Sequence, residues 1–398
     1  MSLNGYGLLK DKLAQLDQRG LRRQLVVAQS ACAPEVMVDG RTKLAFNSND
    51  YLGLANHPRI VAALQEGAAM YGVGSGASHL ISGHSLAHAQ LEAQLAMTQQ
   101  AHIPDVHALY LCTGFMANLA IITALVDIDR DHCMVFSEAL NHASLIDGIR
   151  LSRAPCQVYP HGDVAALEQL LMHSDARHKI VVTDSVFSMD GDVAPLQALL
   201  AVCEKHQAWL LVDDAHGFGV LGEHGHGALE SLGLRSSHLV YMGTLGKAAG
   251  VGGAFVAAHH DVIEWMIQRS RPYIYTTAAP PALAHALLTS LAIIQGPEGQ
   301  ARRAHLRQLI ETFSQHPDLA HLHRLPSTTA VQPIVLGSNA AVLSAAAQLK
   351  AQDFWVTAIR APTVPEGTAR LRITLTAGHT HAQLEPLMAA LAKLPPFK

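Results

Sequence analysis

The stretch WLLVDDAHG, residues 209–217, is an apolar run that ends in an aspartate, and it predicts a buried strand followed by a loop. Further along, MGTLGKAAG at residues 242–250 repeats this pattern, because an apolar run leads into a glycine-rich turn that carries Lys247. Short apolar runs bounded by turn residues are typical of strands buried in a parallel sheet. Ligands bind at the carboxyl ends of such strands, so we expect Asp213 and Lys247 at the same edge of one sheet.

The same rhythm continues on both sides of this stretch, since short apolar runs alternate with amphipathic segments from about residue 105 onward. Seven runs predict strands: Ala108–Cys112, Cys133–Phe136, Gln157–Tyr159, Ile180–Thr183, Trp209–Val212, Leu239–Met242 and Gly253–Ala257. Helical patterns between them include Met116–Leu125, Val164–Met172 and Leu196–His206. This alternation predicts an α/β fold with a mostly parallel seven-stranded sheet that is flanked by helices.

The two ends of the chain follow different patterns. Residues 1–45 are mixed, with a helical pattern over Leu8–Leu21, and they predict an N-terminal arm. We expect residues 46–285 to form a large domain and residues 286–398 a smaller C-terminal α+β domain. A long helical region is predicted from Pro281 to about Phe313. The later patterns predict strands and helices in turn: Ala330–Leu336, Ala340–Leu349, Trp355–Ile359, Leu371–Leu375 and Ala382–Leu394.

Composition narrows the class of protein and of partner. The chain has 398 residues, of which 49% are hydrophobic and 15% charged, with a net charge of −4. No basic patch with interleaved aromatic residues is visible, so we expect no nucleic-acid partner. No apolar run approaches the length of about 18 residues that a membrane span requires, and Met1–Lys10 does not resemble a signal peptide. These features favour a protein without a membrane partner.

Cysteine and histidine usage predicts neither disulfides nor a metal centre. The five cysteines are far apart and include no C-x-x-C pair, which favours free thiols in a reducing cytoplasm. Among the 25 histidines the motif His-Glu-x-x-His is absent. His224 and His226 stand close together in a glycine-rich loop, but a solvated loop is the better interpretation there. We therefore expect no metal site.

Asp213 and Lys247 taken together indicate a particular cofactor. Alone, each is more often a loop charge, and the turn at Lys247 fails the phosphate-loop motif because Tyr241 and Ala248 occupy two of its required positions. A pyridoxal cofactor requires a lysine for its covalent link and a carboxylate for its ring nitrogen. His216, three residues after Asp213, could bind the ring's phenolic oxygen. The pair thus predicts pyridoxal 5'-phosphate.

Two further segments could complete the site. Gly114 and Phe115 open a predicted helix directly after a strand, and backbone N–H groups at a helix start bind anions such as phosphate. An ordinary helix entry explains this segment equally well. His142, in NHAS at 141–144, could stack on a planar ring, although a structural histidine remains the alternative.

Eight motifs occur in an order that resembles one family of enzymes. They are NSNDYLGL (47–54), GSGASHLISG (74–83), GFMAN (114–118), NHAS (141–144), DSVFSMDGD (184–192), VDDAHG (212–217), GTLGK (243–247) and GTARLRITLTA (367–377). Together they resemble the α-oxoamine synthases, which have fold type I of the pyridoxal-phosphate-dependent transferases. The resemblance extends from about residue 45 to residue 380.

The resemblance implies a role for each matching residue of the cofactor site. Lys247 would hold the cofactor covalently and act as general base, Asp213 would bind the ring nitrogen, and His216 the phenolic oxygen. His142 would stack on the ring and also face the substrate. The remaining cofactor contacts would come from Gly114, Phe115, Ser188 and Thr244.

The resemblance also implies the substrates. The segments at 71–85 and 356–377 are most similar to members that condense L-alanine with a pimeloyl thioester, of coenzyme A or an acyl carrier protein, in biotin synthesis. Arg372 would bind the amino-acid carboxylate with help from Asn49, and Thr363 would line the substrate site. Arg22, preferred over Arg23, would meet the acyl chain. Members of the family usually form homodimers, so the resemblance implies a homodimer here.

Other interpretations of the sequence remain open. A sibling synthase would use the same mechanism with another amino acid or acyl thioester. A serine hydrolase is suggested by Gly83–Ala87, which approaches a nucleophile-elbow motif but lacks its final glycine and a preceding strand. A relative that binds the cofactor without turnover is disfavoured because Lys247, Asp213, His216 and Arg372 are all retained.

Overall fold

In the computed structural model, which describes residues 5–395, the chain forms two compact units. The central unit comprises Asp50–Ser188 and Asp192–His305. The terminal unit comprises the residues up to Asn49, the short segment Met189–Gly191 and the residues from Leu306 onward. The predicted arm therefore groups with the C-terminal residues. The central unit continues about 20 residues past the predicted boundary near 285, and the three-part domain division stays a prediction.

Thirteen strands are numbered in chain order within the described residues. They are β1 Glu35–Val38, β2 Arg41–Ala45, β3 Val106–Leu111, β4 Cys133–Glu138, β5 Cys156–Tyr159, β6 His178–Asp184, β7 Trp209–Asp213, β8 Leu239–Thr244, β9 Ala254–His259, β10 Val331–Gly337, β11 Phe354–Trp355, β12 Thr357–Ile359 and β13 Ala369–Thr374.

Fourteen α-helices of the described residues are numbered in the same way. They are α1 Gly5–Gln18, α2 Pro58–Tyr71, α3 Leu86–Gln99, α4 Gly114–Val126, α5 Ala143–Ser152, α6 Val164–Met172, α7 Leu196–Lys205, α8 Ala228–Leu232, α9 His260–Arg269, α10 Arg271–Ile274, α11 Pro281–Gln295, α12 Pro297–Ser314, α13 Asn339–Ala351 and α14 His381–Leu391. A π-helix spans His79–Gly83, and 3₁₀ turns span Arg130–His132 and Pro317–Leu319.

The central unit is built on a seven-stranded sheet in the order β3-β9-β8-β7-β6-β4-β5. β9 runs antiparallel to both of its neighbours, and all other neighbouring strands are parallel. The mostly parallel seven-stranded sheet predicted from the apolar runs is confirmed. Every residue of β8 is buried, as expected for a strand covered on both faces.

Helix α4 packs its apolar residues against the sheet and thereby covers part of one face. Eight of its thirteen residues are buried, and all of these except Asn118 join one apolar cluster with residues of β3, β4, β7 and β8. Its side chains include Ile121 and Leu125, which are fully buried. Burying such a side chain contributes about 1.5–3 kcal/mol, so this helix is held mainly by its contacts with the sheet. The start of α4 is fixed by the same packing, and that start belongs to the candidate site.

The terminal unit contains two small sheets, β1-β2-β11 and β10-β13-β12. Two sequence-based predictions are wrong, one for a strand of this unit and one for the helix near the boundary between the units. The apolar run Trp355–Ile359 is two short strands in different sheets rather than one strand. The long helical region after Pro281 is two helices, α11 and α12, which are separated at Gly296. Pro297 has no N–H to continue the first helix, but it is well suited to begin the second.

Among residues 5–395, no helix combines the length and the apolar character that crossing a membrane requires.

Candidate active site

Lys247 and His216 form the centre of the candidate site in the central unit. β7 and β8 are neighbouring parallel strands in which Asp213 lies opposite Met242, so their carboxyl ends meet at one edge of the sheet. His216 follows β7 and Lys247 follows β8. The Lys247 Nζ atom lies 2.8 Å from His216 Nε2, which is hydrogen-bond distance. Two strand ends thus bring a primary amine and an imidazole into direct contact.

Tyr51 extends this contact on the other side of the imidazole. Its hydroxyl oxygen lies 2.5 Å from His216 Nδ1. Both residues are buried, with 1% of Tyr51 and 8% of His216 exposed. Each imidazole nitrogen of His216 therefore has a hydrogen-bonding partner, and the three side chains form one continuous path. Such a path fixes the orientation of the ring and lets a proton move between the amine and the imidazole.

Asp213 is the buried carboxylate at the end of β7. Its Oδ2 atom accepts a hydrogen bond of 2.7 Å from the side-chain amide of Asn118. Its Oδ1 atom accepts one of 2.9 Å from the backbone N–H of Ala215. Asn118 also donates to Ser144 Oγ, over 2.9 Å. Because a carboxylate has about four lone-pair sites, these contacts orient Asp213 and leave capacity for another donor.

A second carboxyl group, Asp184, lies opposite Asp213 at the end of the neighbouring strand β6. Burial raises the pKa of Asp184 well above its usual value, and the charge of Asp213 acts in the same direction. The Oδ2 atom of Asp184 accepts a 2.7 Å hydrogen bond from the backbone N–H of His142. Asp184 therefore anchors the loop that carries His142.

His142 is the N-cap of α5, where its Nδ1 atom accepts a 3.2 Å hydrogen bond from the backbone N–H of Ser144. Part of His142 is exposed to solvent, but burial of the ring by the surrounding protein lowers its pKa. The charge of Asp213 opposes this change in pKa, and that of Lys247 adds to it. The ring is thus neutral at pH 7, which suits stacking on a planar molecule.

An anion-binding arrangement lies at the start of α4. Gly114 and Phe115 are its first residues, and the Thr113 side chain caps the helix by accepting from the Met116 N–H over 3.2 Å. A Cβ atom added to Gly114 would lie 3.7 Å from Thr244 Oγ1 at the end of β8. The helix start and the threonine hydroxyl therefore adjoin. Backbone donors, a helix dipole and a hydroxyl in this arrangement suit a phosphate group.

Ser188 is the last residue of the first segment of the central unit. It is half-buried in a turn that Val186 and Val193 close with an antiparallel bridge. Its predicted contact with a cofactor stays a prediction.

The terminal unit holds the predicted carboxylate site. Arg372 lies in β13, the middle strand of its sheet, and is 6% exposed. Its Nη1 atom donates to Asn49 Oδ1 over 3.1 Å and to Thr374 Oγ1 over 3.0 Å. The two predicted residues Arg372 and Asn49 are thus in contact. Both hydrogen bonds orient the planar guanidinium, whose fork of N–H donors matches a carboxylate.

The predicted acyl-chain residues are exposed in the terminal unit. Thr363 Oγ1 lies 3.5 Å from an Nη atom of Arg23. Arg22 instead donates to Asp17 over 2.7 Å. Of the two arginines considered, the one in contact with Thr363 is therefore Arg23. The choice of Arg22 stays a prediction without support from this contact.

Known proteins are similar to this chain over nearly its full length. Residues 41–391 match the model of the family described as aminotransferase class I and II. The 8-amino-7-oxononanoate synthase of Janthinobacterium sp. (strain Marseille) is 64% identical over 386 residues, or 97% of each chain. The chain belongs to the 8-amino-7-oxononanoate synthase family. Membership confirms the resemblance to α-oxoamine synthases that the eight motifs predict.

Solved structures of 8-amino-7-oxononanoate synthase and a related enzyme have the same architecture. The enzyme from Francisella tularensis is 31% identical, with a TM-score of 0.74, over 88% of this chain and 97% of that chain. A structure of SPT with PLP internal aldimine is 28% identical, with a TM-score of 0.87, over 97% of this chain and 96% of that chain. The predicted fold type I is confirmed.

The serine-hydrolase alternative is at odds with the structure of this family member. A nucleophile elbow requires a strand, a tight turn and a helix. Ser85 instead follows a π-helix and is the N-cap of α3. Its backbone N–H donates to His88 Nδ1 over 3.0 Å, as part of a capping box. The geometry is that of a helix start.

Three residues of the site have no predicted role from the sequence, although each lies in one of the eight motifs of the family. They are Tyr51 on His216, Asn118 on Asp213 and Asp184 on the His142 backbone. Each acts on a predicted residue rather than directly on a ligand. A polar residue at a strand end could have indicated Asp184, and one inside an apolar helix could have indicated Asn118, whereas Tyr51 lies in a turn without such a signal.

Proposed function

We propose that this chain condenses L-alanine with a pimeloyl thioester to give 8-amino-7-oxononanoate, CO₂ and the free thiol, as a pyridoxal-phosphate-dependent acyltransferase of biotin synthesis. The observation that carries the proposal is the contact of 2.8 Å between Lys247 and His216, beside the carboxylate of Asp213. An amine, an imidazole and a buried carboxylate at adjacent strand ends are the groups that this cofactor requires. The product is the one in the name of a relative that is 64% identical, an 8-amino-7-oxononanoate synthase.

The side chains of the central unit fit the cofactor. Lys247 would carry it covalently, Asp213 would hold its ring nitrogen, and His216 its phenolic oxygen. Its phosphate would meet the start of α4 and Thr244, where Gly114 leaves room because a Cβ there would have its nearest neighbour at 3.7 Å. When bound, pyridoxal phosphate supplies an electron sink that makes the α-proton of an amino acid acidic.

Lys247 would move the proton. Its amine is held by His216, which is in turn held by Tyr51. The amine can take the α-proton of L-alanine and return it after CO₂ has left, and His216 can share the charge. Between these two proton transfers, a carbon–carbon bond forms between the alanine α-carbon and the thioester carbonyl, and the carbon–sulfur bond breaks. The bond between the α-carbon and the alanine carboxylate then breaks to release CO₂.

Arg372 and Asn49 would bind the alanine carboxylate. A guanidinium oriented by Asn49 Oδ1 and Thr374 Oγ1 can bind two carboxylate oxygens at once. His142, a neutral ring on a fixed N-cap, would cover the reacting face. Thr363 and Arg22 or Arg23 would meet the pimeloyl chain, and the contact between Arg23 and Thr363 supports the second arginine.

We further propose a homodimer. Several large apolar side chains of the described residues are exposed, among them Leu25 at 99%, Val27 at 70% and Val73 at 85%. Leu25, Val26 and Val27 are consecutive exposed residues, and contiguous exposed apolar surface is typical of surfaces that another chain covers. Light scattering at micromolar concentration should give a mass near twice 42.6 kDa, and a mass near 42.6 kDa would contradict the proposal.

A cytoplasmic location is proposed on the evidence of the cysteines. All five lie in the described residues and are free thiols, as expected in a reducing compartment. Cell fractionation should find the protein with cytosolic markers, and recovery from a secreted fraction would contradict this.

The function is tested by thiol release from pimeloyl-CoA with L-alanine, glycine and L-serine in parallel, using the cofactor-loaded protein. We expect release with L-alanine to exceed release with the others. Preference for glycine or serine would identify a sibling synthase. Release without any amino acid would favour a hydrolase. If no amino acid supports release, the assay is repeated with pimeloyl acyl carrier protein, and failure with that donor as well would contradict the proposed reaction.

A further inference from the structure

Three histidines outside the Lys247 site come together through an unusual backbone. His79, His84 and His88 are spaced by five and then four residues. His79 begins the π-helix His79–Gly83, and His88 lies in the first turn of α3. His84 follows the π-helix and precedes the Ser85 N-cap of α3, and both residues have extended backbone. The π-helix, this extended link and the first turn of α3 together bring the three imidazoles to one place.

The π turn depends on a glycine. The backbone N–H of Gly83 donates to the carbonyl of Ser78 over 2.9 Å, which closes a turn of five residues. A Cβ at Gly83 would lie 2.1 Å from the carbonyl oxygen of Ala77, a distance that no side chain tolerates. The π-helix is thus a built feature of the chain, and π-helices occur frequently at functional sites.

The geometry of the three rings matches that of imidazoles on one metal ion. The Nδ1 atoms of His79 and His84 are 3.0 Å apart, and possible ligand atoms of all three histidines lie within 4.8 Å of one another. Ring centroids are separated by 5.1, 5.3 and 5.5 Å. Three imidazoles on a tetrahedral zinc ion, with a Zn–N bond of about 2.0–2.1 Å, have nitrogens about 3.3 Å and centroids about 5 Å apart.

The outer nitrogen of His88 has a partner of the kind that metal-binding histidines use, and the outer nitrogen of His84 lies near another. The Nε2 atom of His88 lies 2.8 Å from the carbonyl oxygen of Ala279, which can only accept, so Nε2 carries the proton and Nδ1 does not. His84 Nε2 lies 3.6 Å from a carboxylate oxygen of Glu92. A carbonyl or carboxylate on the outer N–H is the usual second partner of a metal-binding histidine. In the cluster, the Ser85 N–H donates to His88 Nδ1, and a metal would replace that contact.

The rings are also in the protonation state that a metal requires. Burial, together with the neighbouring His88 and His84, lowers the pKa of His79 to about 4. Burial lowers the pKa values of His84 and His88 too. All three are therefore neutral at pH 7, and metal binding displaces no proton from an imidazolium.

We propose that His79, His84 and His88 form a binding site for a divalent metal that prefers imidazole, with Zn²⁺ as the expected ion. His79 and His88 are buried, while His84 is exposed and offers a path of entry from solvent. A metal bound there would link the π-helix to α3. The site contains none of the residues assigned to the proposed reaction. It therefore does not depend on the proposed function.

The test is calorimetric titration of chelator-treated, cofactor-loaded protein with Zn²⁺. We expect one ion per chain, bound at least ten-fold more weakly by His84→Gln and His79→Asn. His224→Gln is the matched control, because His224 is also an exposed histidine beside a second one, His226, at 5.6 Å between ring centroids. Its affinity should equal that of the unchanged chain. Mg²⁺, which prefers oxygen ligands, should not compete.

Absence of Zn²⁺ binding, or binding that neither His84→Gln nor His79→Asn weakens, would overturn the proposal. The visible spectrum of bound Co²⁺ gives a second readout that needs no variant. Coordination by nitrogen and water should give weak bands without thiolate charge transfer. A thiolate band would assign the ion to a cysteine such as Cys32 or Cys156, which are both exposed, and would also overturn the proposal.

Discussion

The Lys247 cluster and the histidine cluster of residues 79–88 both hold imidazoles in the central unit, but they differ in how the backbone assembles them. In the first, the side chains follow the carboxyl ends of neighbouring parallel strands. In the second, a π-helix, an extended link at His84 and Ser85, and the first turn of α3 bring the side chains together. The first combines an amine, an imidazole and a carboxylate, which is a set for moving protons. The second combines three neutral imidazoles, which is a set for binding a metal.

Among the substitutions that separate the two clusters, Lys247→Ala should have the largest effect on turnover. We expect turnover to fall by about 10³-fold or more, because the amine that holds the cofactor and moves the proton is lost. Thiol release measures turnover, and mass spectrometry after borohydride reduction detects the covalent link. Lys205→Ala is the matched control, since Lys205 is exposed and pairs with Glu168 over 2.6 Å. A Lys247→Ala protein that kept both turnover and covalent link would disprove the assignment.

A second test separates two adjacent aspartates. Asp213→Asn should lower turnover by about 10²-fold, because a fixed charge at the ring nitrogen is lost. Asp214 is instead bound by Ser185, by Tyr241 over 2.7 Å and by the backbone N–H of Ala228 over 2.7 Å. Burial raises the pKa of Asp214 to about 6.

Asp214→Asn should accordingly lower the unfolding free energy by about 1–3 kcal/mol and change turnover only a few-fold. Steady-state kinetics and urea unfolding of the two variants measure the contrast. If Asp214→Asn lost as much turnover as Asp213→Asn, the division between a cofactor group and a structural group would be wrong.

Tyr51→Phe should have a smaller effect on the Lys247 cluster. It removes the hydroxyl that lies 2.5 Å from His216 Nδ1 and leaves the ring packing in place. A hydrogen bond of about 0.5–1.5 kcal/mol corresponds to a loss of turnover of about 2- to 10-fold. The pH dependence of turnover should change as well, because the protonation of His216 is coupled to Tyr51. An unchanged pH profile would show that Tyr51 has only a packing role.

The two clusters also show what the sequence can and cannot predict. Asp213 and Lys247 could be predicted to adjoin, because apolar runs locate strand ends and parallel strands align those ends. Their supporting residues, such as Asn118 and Tyr51, could not, because their contacts join segments far apart in the chain. His79, His84 and His88 do not match His-Glu-x-x-His, so no metal site was expected. Their spacing indicates a cluster only when the π-helix His79–Gly83 is known.

The last test concerns the pH dependence of stability at His79. Its folded pKa, about 4, lies below the ordinary value of 6.5, so unfolding takes up a proton between these pH values. Stability from this group is complete above pH 6.5 and is lost as the pH falls toward 4, by at most about 3 kcal/mol. His79→Phe removes the titration and keeps a ring on Tyr273, with which His79 stacks at 4.7 Å.

Thermal unfolding of the chelator-treated, cofactor-loaded protein at pH 6.5 and pH 4.5 measures this difference. The melting temperature of His79→Phe should fall less than that of the unchanged chain between the two pH values. Other titrating groups near the ring, including His84, His88 and Glu92, are common to both proteins, so their effects largely cancel in the comparison. His224→Phe, a change at an exposed histidine, should follow the unchanged chain. If His79→Phe followed it too, His79 would not be the buried neutral imidazole that the metal site requires.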